Sequence, residues 1–176
     1  MNLIYRQLCG DEAAKLRAID RSERIEAIYY HQDNKLILEE EFYEMKGFPP
    51  GELDKLIERL ILLCRDGGCI IGAFDRSEIV GMTAVENILR GEHRNRLKLD
   101  ILFVSAKCRN QGVGRTLVEL AKDKAREMGA EQLYISATPS KNTVDFYLNL
   151  GCRITERPDL ELFELEPEDI HLELDL

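Results

Sequence analysis

Residues 104 to 117 decide the fold, with the sequence Val-Ser-Ala-Lys-Cys-Arg-Asn-Gln-Gly-Val-Gly-Arg-Thr-Leu. The residues that lead into this stretch, from Leu97 to Val104, alternate as a β-strand does. After it, apolar residues recur at helical spacing, and Gly129 closes the helix. The order is therefore strand, glycine turn, helix. A helix N-terminus carries unpaired N–H groups and a partial positive charge, so this turn predicts an anion site.

The glycine turn runs from Arg109 to Gly114, and Gly112 and Gly114 let its backbone approach a ligand closely. The predicted anion site comprises the backbone amides of Asn110, Gln111, Gly112, Val113, Gly114 and Arg115. Arg109 and Arg115 add positive charge. The spacing matches neither the GxGxxG of a dinucleotide-binding fold nor the GK[ST] ending of a P-loop. A strand-to-helix connection that merely requires glycine is the alternative.

The first half of the chain is predicted to combine strands with two helices. The predicted elements are a strand at 3 to 8, a short helix after Gly10, strands at 24 to 30 and 35 to 39, a helix from Leu53 to Leu63, and strands at 69 to 74 and 78 to 85. Polar residues from His31 to Asn34 predict a hairpin between the second and third strands. A continuous helix is the competing interpretation of that stretch.

The second half continues with a strand at 132 to 137 and a helix from Pro139 to Leu150, which Gly151 ends. Short strands follow in the acidic tail, most clearly at Ile170, Leu172 and Leu174. The β-α-β-α unit places the strands around Ile101 and Ile135 side by side and parallel. We therefore expect an α+β or α/β fold with a mixed sheet.

Composition and charge limit the classes of function that the chain can have. A chain of 176 residues with 44% apolar and 32% charged residues suits one folded domain. The N-terminus reaches a charge too soon for a signal peptide, and no apolar run approaches the roughly 20 residues that span a bilayer. A net charge of -9 argues against nucleic acid. The five cysteines lack the spacing of a zinc site, so we expect reduced thiols, no metal and a cytoplasmic protein.

Two motifs of the second half resemble the signatures of the GNAT superfamily of N-acetyltransferases. The first is the glycine turn, because the family has a valine-ending strand followed by [RQ]xxGxG/A and a long helix. The second is the stretch Ser-Lys-Asn-Thr-Val-Asp-Phe-Tyr-Leu-Asn-Leu-Gly-Cys at 140 to 152, which is similar to N-x-x-A-x-x-F/L-Y-x-x-x-G-F. Two motifs in this order are more specific than either alone. They cover roughly residues 70 to 155, and the first 65 residues match no motif.

The resemblance implies one acetyltransferase domain over residues 1–176, with a mixed, mostly antiparallel sheet flanked by helices. Its parallel central strands would splay apart at the cofactor site. Residues 1–68 would form the acceptor side, 69–155 the acyl-CoA-binding core and 156–176 the C-terminal strands. In such enzymes pantetheine lies between the splayed strands and pyrophosphate on the glycine turn. Acetyl-CoA is thus the expected co-substrate, and Val104 would supply a main-chain contact.

The family's tyrosine, which gives a proton to the departing CoA thiolate, corresponds to Tyr147. A phenol near its ordinary pKa is mostly protonated at neutral pH and suits this role. A core tyrosine on an amphipathic helix is the alternative. The family's asparagine aligns with Ser140, whereas Asn142 lies two residues later. Either residue could contact the cofactor or cap a helix.

Attack on a thioester requires a neutral amine, so a base must take a proton. Asp100 is the first candidate, since it lies four residues before Val104 on the same strand face, and some family members carry an acid on this strand. Glu86, at the end of the preceding strand, is the second. A solvated sheet face and a strand-end surface charge are the respective alternatives.

We therefore expect an N-acetyltransferase that moves an acetyl group from acetyl-CoA to a primary amine on a small molecule or protein. Transfer would be direct, in a ternary complex, because no cysteine has visible histidine and acid partners. The alternative is a GNAT-fold module that binds acyl-CoA for regulation or interaction without turnover. The resemblance is also compatible with a homodimer.

Overall fold

The computed structural model describes residues 2 to 33 and 35 to 176. The strands are β1 (Leu3–Leu8), β2 (Glu23–Gln32), β3 (Lys35–Met45), β4 (Cys69–Asp75), β5 (Glu78–Val85), β6 (Arg96–Val104), β7 (Gln132–Ala137), β8 (Arg153–Ile154) and β9 (Ile170–Asp175). The helices are α1 (Glu52–Arg65), α2 (Val113–Glu127), α3 (Lys141–Leu148) and α4 (Leu160–Leu165), with 3-10 helices at Gly10–Ala18 and Ala106–Cys108. None of the helices in these two ranges is long and apolar enough to cross a bilayer.

Seven strands form one sheet in the order β1-β4-β5-β6-β7-β9-β8. Neighbouring strands run antiparallel except β6 and β7, which are parallel, so the predicted mixed sheet is confirmed. These two strands pair at only three positions, the last of which joins Lys98 to Tyr134. Beyond it β6 continues to Val104 and β7 to Ala137 without pairing to each other. The central strands are thus splayed.

Helices cover both faces of this sheet because successive residues of a strand point to opposite sides. On β4, Ile70 packs in a buried cluster with Leu60 of α1 and Leu16 of the first 3-10 helix. The next residue, Ile71, packs in a different cluster with Leu117 of α2. The start of α2 is therefore held against the sheet beside the end of β6.

β2 and β3 form a separate antiparallel ribbon, so the hairpin interpretation of this stretch is the right one. The predicted turn includes Asn34, which lies outside the described residues. Tyr29 fastens the ribbon to the body of the domain, since its N–H donates to the carbonyl of Pro139 (2.8 Å). Its hydroxyl also donates to Asp145 of α3 (2.8 Å).

The C-terminal segment contains α4 as well as the strand expected there. Asp159 caps this short helix by accepting a hydrogen bond from the N–H of Leu162 (3.2 Å). Between α4 and β9, the chain turns back toward the sheet, where the carboxylate of Glu166 accepts from Nζ of Lys98 on β6 (3.0 Å). The tail therefore reaches the point at which β6 and β7 separate.

Candidate active site

Two adjoining cavities open where β6 and β7 separate. The first, here called the central cavity, has a volume of about 510 Å³ and is lined by β6 from Leu99 to Val104 and by the end of β7. The second, the turn cavity, has a volume of about 570 Å³ and is lined by the glycine turn and α3. Arg109 and Tyr147 line both, as Val104 does. The cavities thus form one groove from the glycine turn into the splay.

The glycine turn presents backbone N–H groups at the start of α2. Gly112 is the N-cap with φ of 84°, and the first helical hydrogen bond runs from Thr116 N–H to its carbonyl (3.0 Å). The amides of Val113, Gly114 and Arg115 precede that bond and have no partner in the helix. This end of the groove can therefore hold an anion.

The residues predicted to bind the cofactor fall into two groups. Those that line the turn cavity are Val104, Arg109, Asn110, Gly112, Gly114, Arg115 and Asn142. By contrast, the Gln111 side chain donates to the carbonyl of Lys107 (2.9 Å), and the Val113 side chain is buried beside Leu117. These two residues can offer a ligand only their backbone amides.

The two glycines of the turn are required for different reasons. Gly112 adopts a left-handed conformation, although the space around it is open. At Gly114 a Cβ would lie 3.2 Å from Cζ of Phe146, so its small size lets α3 pack close to α2. The turn is also tied to the end of β6, because Nε of Arg109 donates to the carbonyl of Val104 (3.1 Å).

Tyr147 lies on α3 between the two cavities and is only 6% exposed. Its ring packs edge to face on Phe146, with centroids 5.1 Å apart. Burial raises the pKa of its hydroxyl, and the nearby Cys152 adds to the effect. The phenol therefore keeps its proton throughout the neutral range.

Ser140 and Asn142, the two candidates for the family's asparagine, have different surroundings. Ser140 is the N-cap of α3, accepting from the N–H of Thr143 (3.4 Å), and it lines the central cavity. Asn142 lines the turn cavity and donates to Glu23 of β2 (3.2 Å). The capping interpretation thus applies to Ser140, whereas Asn142 faces the side of the groove where the turn lies.

Asp100 lines the central cavity from β6, and its side chain is 7% exposed. Its Oδ2 lies 3.2 Å from a guanidinium nitrogen of Arg59 on α1, and its Oδ1 lies 3.9 Å from Nζ of Lys98. Oδ2 is buried but makes no hydrogen bond of good geometry with any described residue. The carboxylate therefore sits in the groove between two cations.

Glu86, the second predicted base, is not among the residues that line the two cavities. It forms an ion pair with Arg90, which also contacts Asp159 (3.4 Å) and Glu161 (2.9 Å) at the start of α4. The structure therefore does not bring Glu86 together with Tyr147. Glu86 therefore holds Arg90, and Arg90 links the C-terminal segment to the sheet.

The two carboxylates that the C-terminal segment brings to the central cavity, Glu166 and Asp169, are absent from the set predicted from the sequence. Burial raises the pKa of Asp169 to about 6, and the negative charge of Glu166 adds to this, whereas Lys98 and Arg21 oppose it. Burial also disfavours ionisation of Glu166, but Lys98, Ser136 and Arg59 together outweigh that effect and lower its pKa. The acidic tail has no motif that marks these residues.

The description of the family model that matches this chain is the acetyltransferase (GNAT) family, and the match spans residues 31–152. This is well over half of the sequence. A search of curated protein sequences finds no match.

Solved structures share the fold over the whole length. A nourseothricin acetyltransferase is 20% identical, with a TM-score of 0.71 and 99% of each chain covered. A protein from Bacillus anthracis str. Ames, assigned as a streptothricin acetyltransferase and solved with acetyl coenzyme A, is 19% identical with a TM-score of 0.73, covering 100% of this chain and 99% of that one. The PaiA N-acetyltransferase of Thermoplasma acidophilum, in complex with coenzyme A, is 14% identical with a TM-score of 0.66 and 100% of each chain covered. With the family match and this shared fold, the chain belongs to the acetyltransferase (GNAT) family.

Proposed function

We propose that this protein is an N-acetyltransferase that transfers an acetyl group from acetyl-CoA to a primary amine by direct attack in a ternary complex. The observation that carries the proposal is the groove itself. It joins the unpaired amides of the glycine turn to Tyr147 and then to a cavity lined by carboxylates. An elongated anionic thioester and a cationic acceptor can thus meet at Tyr147 from opposite ends.

The glycine-turn end of the groove suits the pyrophosphate of the cofactor. The free amides at the start of α2 and the guanidinium groups of Arg109 and Arg115 supply hydrogen bonds and positive charge. The pantetheine arm would lie between β6 and β7, where the facing edges lack strand partners beyond Lys98. Main-chain groups near Val104 are then available to pair with its amides.

Tyr147 serves as the acid in this proposal. Its raised pKa keeps the hydroxyl protonated until the thioester opens, and a full thiolate charge then develops next to it. The phenol donates its proton to that sulfur, which leaves as free CoA. The acetylated nitrogen sheds a proton in the same step, and this proton restores the phenol.

The central cavity can hold an acceptor that carries positive charge, because five carboxylates line it beside four cations. The carboxylates are those of Glu23, Glu52, Asp100, Glu166 and Asp169, and the cations are those of Arg21, Lys55, Arg59 and Arg109. Direct transfer is supported by the absence of cysteine from the linings of the two cavities, as far as residues 2–33 and 35–176 are concerned. No acetyl-cysteine intermediate is needed. The amine attacks the thioester carbonyl while both substrates are bound.

The experiment has two parts. Calorimetry measures acetyl-CoA binding, and release of free CoA thiol is followed with a panel of amines: phenethylamine, 1,4-diaminobutane, spermidine, a lysine peptide, an aminoglycoside and nourseothricin. We expect binding, and thiol release that is fastest with a polycationic amine. Failure to bind acetyl-CoA would overturn the proposal. Binding without thiol release for any amine would identify a binding module instead.

A further inference from the structure

Asp169 lies in the turn between α4 and β9 and lines the central cavity together with Tyr147. We propose that Asp169 is the catalytic base that takes a proton from the ammonium group of the acceptor, an inference that rests on the proposed acetyltransferase function. The sequence favours Asp100 for this role.

Five carboxylates line the central cavity, and their surroundings distinguish them. Glu52 is exposed, and Glu23 lies 3.8 Å from a guanidinium nitrogen of Arg109. Asp100 is flanked by Arg59 and Lys98, and Glu166 accepts a hydrogen bond from Lys98. Within the described parts of the chain, the Asp169 carboxylate forms no ion pair. Among the four cavity carboxylates that are not exposed, it is therefore the one whose oxygens have no cation already bound to compete with an incoming ammonium.

The charges that face Asp169 come from three elements. Glu166 at the end of α4 repels a second negative charge, while Lys98 of β6 and Arg21, beyond the first 3-10 helix, favour one. Burial and Glu166 together outweigh the two cations, so the pKa of Asp169 is raised to about 6. A base is most effective when its pKa lies near the working pH, because it is then both ionised and able to hold a proton.

The turn that carries Asp169 is held in place by buried hydrogen bonds. The N–H of Asp169 donates to the carbonyl of Glu166 (3.2 Å), and Nε2 of His171 lies 3.0 Å from the same oxygen. Nδ1 of His171 lies 2.7 Å from the hydroxyl of Tyr134, and burial lowers the pKa of the imidazole. A neutral His171 that donates from Nε2 and accepts at Nδ1 satisfies both contacts, so the backbone that carries the base is held in place before substrate arrives.

The proton balance of the reaction is complete with these groups. The Asp169 carboxylate takes one proton from the ammonium, either directly or through a water molecule, and becomes a carboxylic acid. The freed lone pair forms the C–N bond, the C–S bond breaks, and the sulfur takes the proton of Tyr147. The amide nitrogen releases a second proton to the tyrosinate, and Asp169 then loses its proton to solvent.

The experiment compares Asp169→Asn with Asp100→Asn in the full chain, using 1,4-diaminobutane and spermidine as acceptors. For the wild type, kcat/KM should rise with pH through a midpoint near 6. Asp169→Asn should lower the rate at neutral pH by about 100-fold or more and remove that midpoint, with the Kd of acetyl-CoA unchanged. Asp100→Asn should keep the midpoint even where it raises KM. Loss of the midpoint in Asp100→Asn, or its survival in Asp169→Asn, would overturn the inference.

A second measurement does not depend on turnover. Carboxyl ¹³C NMR of the wild type, with Asp169→Asn to assign the signal, should show Asp169 titrating near 6 without any acceptor present. Titration at the ordinary value of an aspartate would overturn the inference, even if neither amine were acetylated. Failure of the acetyltransferase proposal would look different, since acetyl-CoA binding or thiol release would then be missing in the wild type.

Discussion

The two ends of the groove are built in different ways. The turn end comes largely from one stretch, in which the last residues of β6, the glycine turn, α2 and α3 follow one another along the chain. Its main binding groups are backbone amides. The other end, the central cavity proposed to bind the acceptor, is assembled from side chains that are far apart in sequence. Examples are Arg21, Arg59, Asp100 and Asp169.

The comparison shows which kind of binding site can be recognised from a sequence motif. A site made of backbone needs glycines at fixed positions, and those glycines mark it in the sequence. A site made of converging side chains depends on the tertiary structure that brings them together. Its residues therefore need no fixed spacing along the chain. Substitutions at each end of the groove can therefore test the contribution of each kind of site separately.

The largest expected effect lies where the two ends meet. Tyr147→Phe removes the hydroxyl that would protonate the leaving thiolate, so kcat should fall by about 100-fold or more while acetyl-CoA affinity stays nearly unchanged. Steady-state kinetics and calorimetry measure the two quantities. Tyr43→Phe, at an exposed position on β3, is the control and should leave both unchanged. An unaltered kcat in Tyr147→Phe would show that another group or water is the acid.

The next prediction tests whether the central cavity depends on the ion pairs that attach the C-terminal segment to the sheet. Arg90→Met leaves the largely buried carboxylates of Glu86 and Asp159 without their cation, which should cost about 3 kcal/mol of unfolding free energy. We expect the KM of the acceptor to rise while acetyl-CoA affinity holds. Urea unfolding and kinetics check both points.

The matched control for Arg90 is Arg153, which also pairs with two carboxylates but is 49% exposed. Because solvent screens such pairs, Arg153→Met should cost less than about 1 kcal/mol. Equal losses of stability in the two variants would mean that burial does not set the strength of these ion pairs.

A smaller effect tests the turn end alone. Gly112→Ala places a side chain at φ of 84° where the cofactor phosphates would bind, so acetyl-CoA affinity should fall about tenfold, or about 1.4 kcal/mol. Gly129→Ala is a close control, since Gly129 has φ of 86°, equally open space and a position just beyond the other end of α2. Both variants should lose similar stability. Only the first should lose affinity, and equal affinity in both would remove the pyrophosphate from the turn.

The smallest expected effect is a gain. The pKa of Asp169 is raised from 3.8 to about 6 in the fold, so the folded state binds its proton more tightly than the unfolded state does. Stability from this residue is full below pH 4 and is lost as pH rises through about 6. The full shift corresponds to about 3 kcal/mol, and solvent screening of the half-buried carboxylate reduces this to about 1 kcal/mol. Asp169→Asn should therefore be more stable than the wild type by that smaller amount at pH 8 and no more stable at pH 3. An equal difference in unfolding free energy at both pH values would show that packing, and not ionisation of Asp169, causes it.

Local patterns predicted much of the fold. The strand–turn–helix unit and the β4–β5 hairpin have regular periodicity and clear turn residues, and both are present. The stretch from Arg24 to Glu39 was open to two interpretations, because its apolar residues fit a hairpin or a helix. Pairing with β2 carries β3 on to Met45 through residues of low strand propensity, which only the tertiary structure decides.

The acceptor site could be predicted only in part. Asp100 was visible because it shares a strand with Val104, and it does line the groove. Glu86 was a candidate because it lies at the end of the preceding strand, but the sequence gives no sign that Arg90 and Asp159 form an ion cluster with it. Asp169 was missed because its position depends on the buried contact between His171 and Tyr134, whose residues are far apart along the chain.

The splay between β6 and β7 also has a mechanical meaning. Among residues 2–33 and 35–176, three paired positions join the β1-β4-β5-β6 half of the sheet to the β7-β9-β8 half by strand hydrogen bonds. A ligand that pairs with both exposed edges bridges this seam, and at 100 times its Kd it adds about 2.7 kcal/mol to the stability of the fold. Amide hydrogen exchange along both edges should then slow as acetyl-CoA is added. The resistance of the folded chain to proteases would then increase with the concentration of acetyl-CoA.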